Sequence, residues 1–165
     1  MNPLRWNTRG EDPPPSATRC SASSTIRWSP ASISEWIEQS NVATASYLPD
    51  DLRPYAGTLA TDGAWEYLQP YGYVWYPRVA VGWAPYTYGE WSVVASFGWT
   101  WTGGPRWIWP THHYGRWGFR ASRWYWIPDR RWAPAWVSWA NAPGYVGWCP
   151  LGWDNRPVVS ITRVV

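Results

Sequence analysis

Lysine is absent from this chain of 165 residues, and all 14 basic residues are arginine. Acidic residues are also few, at 11, so the net charge is only +3 at pH 7. A positive charge this small gives no indication of a nucleic-acid partner. No continuous run of about 18 apolar residues occurs, so we expect no membrane-spanning helix.

Cysteine is nearly missing, since the chain contains only Cys20 and Cys149. These two residues lie in regions of different composition, and nothing around them has metal-ligand spacing. We expect no disulfide between them. The surrounding sequence GWCPLGW predicts that Cys149 is a small, buried apolar residue.

Residue patterns that support catalysis are equally scarce. The sequence contains no GxSxG, P-loop or GxGxxG motif. The carboxylates of the aromatic region, Glu66, Glu90 and Asp129, lie at unrelated positions and do not suggest the acid/base pair of a glycosidase. We therefore predict a non-enzymatic protein with no catalytic residues, no cofactor and no bound metal.

The first 46 residues differ in composition from the remainder. They contain no apolar segment typical of a signal peptide, and the stretch EDPPPSATRCSASST predicts disorder or weak structure. One short helix is expected within SPASISEWIEQS, with Ser32 as N-cap and Glu35 as its capping-box partner. The predicted domain spans residues 47–159, and residues 160–165 form a tail.

Aromatic residues dominate what is present, with 19 Trp, 11 Tyr and 2 Phe. From Gly63 onward they recur with a spacing of about 26 residues. A fourth, degenerate unit follows in WAPAWVSWANAPGYVGWCP. Equivalent tryptophans in the first half of each unit are Trp65, Trp91 and Trp117, and those in the second half are Trp75, Trp101 and Trp126.

Each unit has the pattern of a β-hairpin, because bulky residues alternate on either side of a turn such as LQPYG. We predict an all-β fold of tandem antiparallel hairpin repeats that form a small Trp-rich meander, sandwich or partly closed barrel. One face should supply the core, and the other should be mixed and half-exposed. The predicted core face comprises Trp65, Tyr67, Tyr73, Trp75, Trp91, Val93, Trp99, Trp101, Trp117, Phe119, Trp124 and Trp126. The opposite face comprises Glu66, Val74, Ser92, Thr100, Arg120 and Tyr125.

Arginine directly precedes tryptophan four times in the second half of the chain. Neighbouring strand residues point to opposite faces, so these pairs predict tryptophan inside and arginine outside rather than a surface for single-stranded nucleic acid. We expect no nucleic-acid partner. The pairs are Arg106-Trp107, Arg116-Trp117, Arg123-Trp124 and Arg131-Trp132.

The only two histidines, His112 and His113, lie in a connector between units. Alignment of WPTHHYGRW with WAPYTYGEW places them opposite Tyr86 and Thr87 of the preceding connector. On a strand the two rings would point to opposite faces and could not chelate one ion well. We predict packed or hydrogen-bonding histidines, and stability within about 1 kcal/mol of wild type when they are changed to Tyr and Thr.

Six segments between residues 47 and 159 resemble a family of uncharacterised Trp-rich bacterial proteins with Tyr-x-Trp-Gly-x-Trp-type repeats and a domain of unknown function. These segments are DLRPYAGTL, YGYVWYPRVAVGWAPY, PTHHYGRWGF, RWYWIP, WAPAWVSW and APGYVGWCPLGWDNRPV. The resemblance implies a periplasmic or extracellular protein of the cell envelope, but it implies no reaction, cofactor or catalytic residue. Residues 1–46 depart from the family because they do not look like its export signal.

Two functions are consistent with these features. One is a structural or interaction module of the bacterial envelope, whose partner would be an envelope glycan or another envelope protein. The alternative is a carbohydrate-binding module, since sugars stack on tyrosine and tryptophan rings. The alternative requires the connector residues to be exposed along a groove, whereas burial between units favours the first function. The candidate ligand-binding residues are Tyr86, Tyr88, Trp107, His112 and Tyr114.

Overall fold

A computed structural model of the protein describes residues 30–158 and confirms a mostly β fold of antiparallel hairpins. Cys20 and the predicted tail lie outside the described residues. The helices are α1 (Pro30–Ser46), a 3₁₀ helix (Asp50–Tyr55), α2 (Ala56–Asp62) and α3 (Ile108–His113). The strands are β1 (Gly63–Leu68), β2 (Gly72–Pro77), β3 (Glu90–Val94), β4 (Gly98–Thr102), β5 (Tyr114–Arg120), β6 (Arg123–Trp132), β7 (Val137–Ala142) and β8 (Tyr145–Pro150).

The four hairpins divide into three sheets. The first and third join through β2 and β6, where Trp75 pairs with Trp126, and form a four-stranded sheet of order β1-β2-β6-β5. The second hairpin, β3-β4, and the fourth, β7-β8, each form a two-stranded sheet. The four hairpins are therefore not laid side by side in one continuous sheet.

The strand register places the predicted aromatic pairs directly opposite each other, so they share a face. In each of the first three hairpins an inner pair of tryptophans lies farther from the turn than an outer pair. The inner pairs are Trp65–Trp75, Trp91–Trp101 and Trp117–Trp126; the outer pairs are Tyr67–Tyr73, Val93–Trp99 and Phe119–Trp124.

Burial differs between these two sets of pairs, although Trp124 of an outer pair is half-buried against the main core. The inner pairs are buried or half-buried in the main core, whereas Trp99 of an outer pair is 61% exposed. Tyr67, Tyr73, Val93 and Phe119 are also exposed. The prediction of twelve core residues was therefore too broad. The core covers the inner ends of the hairpins, and the ends near the turns extend beyond it.

The connectors and the N-terminal helices complete this core. Trp83, Tyr86 and Trp107 from the connectors are buried among the inner tryptophans. Leu52 of the 3₁₀ helix and Leu59 of α2 are fully buried in the same cluster. The inner strand pairs thus pack against chain segments between the hairpins, which explains why a single hairpin would have too little apolar contact to fold alone.

The second face of the four-stranded sheet is more buried than the sequence predicted. Val74, Tyr76, Tyr125 and Ile127 form a separate apolar cluster there, so Val74 and Tyr125 are not part of a half-exposed face. Gly118 permits this packing, because a Cβ atom at that position would collide with the Tyr125 ring. Thr100, on the second hairpin, is also buried.

Arg116 is an exception to the prediction that arginine lies outside. Its side chain is only 4% exposed and its guanidinium stacks over the Trp136 ring, 3.3 Å from the centroid. Nε and one terminal nitrogen donate to the Asn155 side-chain oxygen, and the other terminal nitrogen donates to the Gly115 carbonyl. Burial lowers the pKa of Arg116. This arginine joins the C-terminal segment to β5.

The helix predicted in the N-terminal segment is longer than expected. Helix α1 starts at Pro30, a residue favoured in a first helical turn, so Ser32 lies inside the helix rather than at its N-cap. Its last turn packs on the body through buried Thr44 and half-buried Ala45. In the part of the chain from 30 to 158, no helix has the length and apolar character needed to cross a bilayer.

Two buried tryptophans at equivalent strand positions differ in their indole N–H groups. Trp126 donates to the Tyr114 carbonyl at 2.8 Å, whereas the Trp101 N–H has no acceptor among the described residues. We expect Trp126→Phe to destabilise the fold by about 1 kcal/mol more than Trp101→Phe, because it leaves the carbonyl of half-buried Tyr114 without this donor. Urea unfolding of both variants measures this difference. Equal losses, or a greater loss for Trp101→Phe, would contradict it.

Candidate functional site

The five candidate ligand-binding residues do not line one groove. Tyr86, Trp107 and His112 are buried in the main core, and Tyr114 is half-buried. Only Tyr88 is well exposed, at 62%. The connector turns inward at Tyr86, which adopts a left-handed backbone conformation with a φ of 60°. Three of the five residues therefore offer no surface to a ligand.

His112 and Tyr86 are hydrogen-bonded to each other inside the core. The Tyr86 backbone N–H donates to Nε2 of His112 at 3.2 Å, and the Tyr86 hydroxyl donates to the His112 carbonyl at 2.8 Å. Since Nε2 accepts, the ring proton lies on Nδ1, which is 2.9 Å from Oγ1 of Thr111. The Thr111 hydroxyl in turn donates to the Trp107 carbonyl. Every polar atom of the neutral His112 ring is thus satisfied.

This contact, here called the Tyr86–His112 clamp, gathers further segments of the chain. The Trp136 backbone N–H donates to the Tyr86 hydroxyl at 3.0 Å, and the Trp148 indole donates to the Tyr86 carbonyl at 2.9 Å. Nδ1 of His113 lies 3.0 Å from the Ala133 carbonyl. The clamp therefore links two connectors with the segment before β7 and with β8.

Burial at and beside the clamp sets the protonation of Tyr86, His112 and His113. Burial, together with a smaller effect of the neighbouring His113, lowers the pKa of His112 from 6.5 to about 3. Burial lowers the pKa of His113 and raises that of Tyr86. At neutral pH all three side chains are uncharged. Their hydrogen bonds hold the hairpins together.

The two histidines end helix α3, so the expectation that they occupy a strand was wrong. Their polar contacts are the hydrogen bonds of the clamp, and both side chains are almost completely buried. Between residues 30 and 158, no three His, Cys, Asp or Glu side chains are grouped in a way that could hold a metal ion. Cys149 is buried, as its apolar surroundings predicted.

The structure changes the stability that we expect for the protein with His112 and His113 replaced by Tyr and Thr. Tyrosine would need extra space in a filled core and would remove the acceptor of the Tyr86 N–H. We expect a loss of about 2 kcal/mol or more in the free energy of unfolding, measured by urea denaturation. Thr87→His, at the exposed equivalent position, is the control and should have little effect. A double variant as stable as wild type would contradict the clamp.

An open groove of about 550 Å³ lies elsewhere, where α1 ends beside the four-stranded sheet. We call it the Tyr groove. Three chain segments that are distant in sequence form it, and none of its residues was among the predicted site residues. Its volume falls within the range of small-molecule sites. The lining residues are Ser46, Tyr47, Leu48, Pro49, Tyr71, Tyr73, Pro128 and Arg130.

Aromatic contacts hold the tyrosines of this groove in place. Tyr47 and Tyr73 stack with their ring centroids 3.9 Å apart. Burial and the hydrogen bond with Tyr73 raise the pKa of Tyr47. The ring centroid of Tyr71 lies 6.3 Å from that of Tyr125 and 6.2 Å from that of Trp153. The groove thus presents ordered aromatic rings and hydroxyl groups.

The sequence offered only a partial signal for this site. Tyr73 was assigned to the core face, but its position next to a hairpin turn leaves it 43% exposed. Tyr47 was placed at the boundary between the N-terminal segment and the domain. Their stacking depends on how α1 packs, and strand periodicity does not describe that packing.

Comparison with known families identifies one match. A model described as Family of unknown function (DUF6600) matches residues 56–155 of the chain. The search of curated proteins and that of solved structures each found no match. The matched region includes all eight strands, the clamp and much of the Tyr groove.

Proposed function

The chain belongs to the family of unknown function DUF6600, and from that premise we propose that it is a non-enzymatic structural or interaction module of the bacterial cell envelope. The observation that carries this proposal is the division of the first three hairpins into a fixed inner end and a more exposed outer end. Buried tryptophans fix the inner ends, while Trp99, Phe119 and Tyr67 lie exposed near the turns. Exposed aromatic side chains on a rigid support are typical of binding surfaces.

A periplasmic or extracellular location is part of the same proposal, and the resemblance of residues 47–159 to Trp-rich envelope proteins supports it. Cell fractionation of a bacterium that expresses the full gene tests the location. We expect the protein in the periplasmic, surface or secreted fraction. Recovery with the cytoplasmic fraction would contradict it.

Co-sedimentation with purified peptidoglycan sacculi tests the interaction surface. We expect the wild-type protein to sediment with sacculi and the double variant Trp99→Ser, Phe119→Ser to remain in solution. Val81→Ser is the matched control, because Val81 is a fully exposed apolar residue outside the hairpins. Equal sedimentation of all three proteins would show that the exposed hairpin ends do not carry binding.

Carbohydrate binding at the Tyr groove is a second candidate function. The groove combines stacked tyrosine rings, hydroxyl groups and an arginine in a volume suitable for a small sugar unit. The apolar face of a sugar ring can pack on an aromatic ring while its hydroxyls form hydrogen bonds. This candidate replaces the connector residues first considered with Tyr47, Tyr71 and Tyr73. Loss of oligosaccharide binding in Tyr73→Ala, but not in Tyr88→Ala, is the expected result.

A further inference from the structure

The lining of the Tyr groove carries one positive charge and no negative charge. Arg130 is the only charged residue among the eight that line it, and the lining contains no carboxylate. Its other polar side chains are hydroxyls, those of Ser46, Tyr47, Tyr71 and Tyr73. A ligand in this groove therefore meets one positive charge beside aromatic rings.

The acidic residues nearest in sequence do not neutralise Arg130. Asp50, which follows the first lining segment, forms its ion pair with Arg53 at 2.9 Å. The Asp129 carboxylate accepts the backbone N–H of Arg130 at 2.7 Å, and its charge partly opposes the lowering of the Arg116 pKa by burial. Within residues 30–158 the guanidinium of Arg130 has no ion-pair partner. It is exposed and available to a ligand.

Arginine beside aromatic rings favours a particular class of carbohydrate. A guanidinium binds a carboxylate through two parallel hydrogen bonds, which an uncharged sugar cannot offer. Recognition of an uncharged sugar would instead benefit from side-chain carboxylates that accept its hydroxyl protons, and none lines this groove. The charge of the groove thus complements an anionic sugar.

We propose that the Tyr groove binds an acidic carbohydrate, with a uronic acid ring against the tyrosines and its carboxylate on Arg130. This inference rests on the carbohydrate-binding candidate and specifies its ligand class. Ring contacts hold three tyrosines in place before any ligand binds, namely Tyr47, Tyr71 and Tyr73. Little side-chain freedom is therefore lost on binding.

Isothermal titration of the full chain with uronate oligosaccharides tests the proposal. The panel contains galacturonate, glucuronate and mannuronate oligomers, each paired with its methyl ester, which has the same rings without the charge. We expect at least one acid to bind about tenfold or more tightly than its ester, as a charge-assisted pair allows. Binding of the acid should weaken as salt is added.

Three variants test whether the uronate oligosaccharides bind in the Tyr groove. Arg130→Gln should remove the preference for the acid over the ester, and Tyr73→Ala should weaken binding of both. Arg131→Gln is the matched control, because Arg131 is the neighbouring exposed arginine and does not line the groove. It should bind like wild type.

Three other outcomes of the titrations would contradict the proposal. Equal affinity for acids and esters that still depends on Tyr73 would overturn the acidic ligand class and leave carbohydrate binding in place. Equal loss in Arg130→Gln and Arg131→Gln would show general charge attraction and overturn the site. Failure of every acid and ester to bind the wild-type protein would overturn both the inference and the carbohydrate-binding candidate.

Discussion

Trp117→Ala is expected to unfold the protein, with a loss of about 3–5 kcal/mol in the free energy of unfolding. The Trp117 side chain is 1% exposed and packs against Trp83 and His112 at centroid distances of 5.5 and 5.6 Å. Its indole also donates to the Thr111 carbonyl. The substitution removes all of these contacts and leaves a large cavity. A loss of this size is a major part of the stability of a typical domain, about 5–15 kcal/mol.

Trp99→Ala is the matched control, because it removes the same side chain from an exposed strand position. We expect a change within about 0.5 kcal/mol for that variant. Guanidinium titration followed by far-ultraviolet circular dichroism compares both with wild type. A transition midpoint for Trp117→Ala near that of wild type would contradict the shared Trp core. Trp91, which is half-buried, should give an intermediate loss.

Acidification from neutral pH to about 3 is expected to remove on the order of 4 kcal/mol of stability through His112 alone. Burial lowers the pKa of His112 from 6.5 in the unfolded chain to about 3 in the folded protein. Between these values the unfolded chain binds a proton that the folded protein excludes. The stabilising effect is therefore complete above pH 6.5 and is lost as the pH falls through this window.

Other titrating groups contribute less or in the same direction. The pKa of His113 is also lowered by burial, so its protonation destabilises the fold as well. Tyr86 faces His112 but stays neutral throughout, because its pKa is raised. The ion pairs of Glu66 and Asp50 are exposed, and breaking them in acid should cost little.

His112→Gln separates the contribution of His112 from these other groups. The glutamine side-chain oxygen can still accept the Tyr86 N–H, but glutamine does not titrate in this range. Urea unfolding free energies measured at several values between pH 3 and pH 7 should rise steeply in wild type and more gently in this variant. The same slope in both proteins would show that His112 is not held neutral by the fold.

The alternation of bulky residues around Pro/Gly turns predicted the hairpins and the residues paired across them. It did not predict depth of burial, because the same periodicity continues from the buried Trp117–Trp126 pair to a pair in which Phe119 is exposed and Trp124 is half-buried. Which pair of a hairpin is buried depends on how the connectors pack, and the connectors do not show the two-residue alternation of strands. For the same reason the pattern did not indicate that β2 joins β6.

The site residues required information that the local sequence does not contain. Aligning the connectors placed Tyr86 and His112 at equivalent positions, but it gave no sign that they contact each other in the core. The helix α3 also breaks the strand alternation assumed for the histidine pair. The Tyr groove combines segments near residues 47, 72 and 129, and their proximity follows from packing of α1 and from the four-stranded sheet.

The Tyr86–His112 clamp also limits how hairpins could be inserted into or removed from this chain. In many repeat proteins each unit contacts only its neighbours, so units can be added or lost one at a time. Here a single tyrosine donates a hydrogen bond to a helix and accepts hydrogen bonds from the segment before β7 and from β8. Removing or inserting one hairpin would separate those partners.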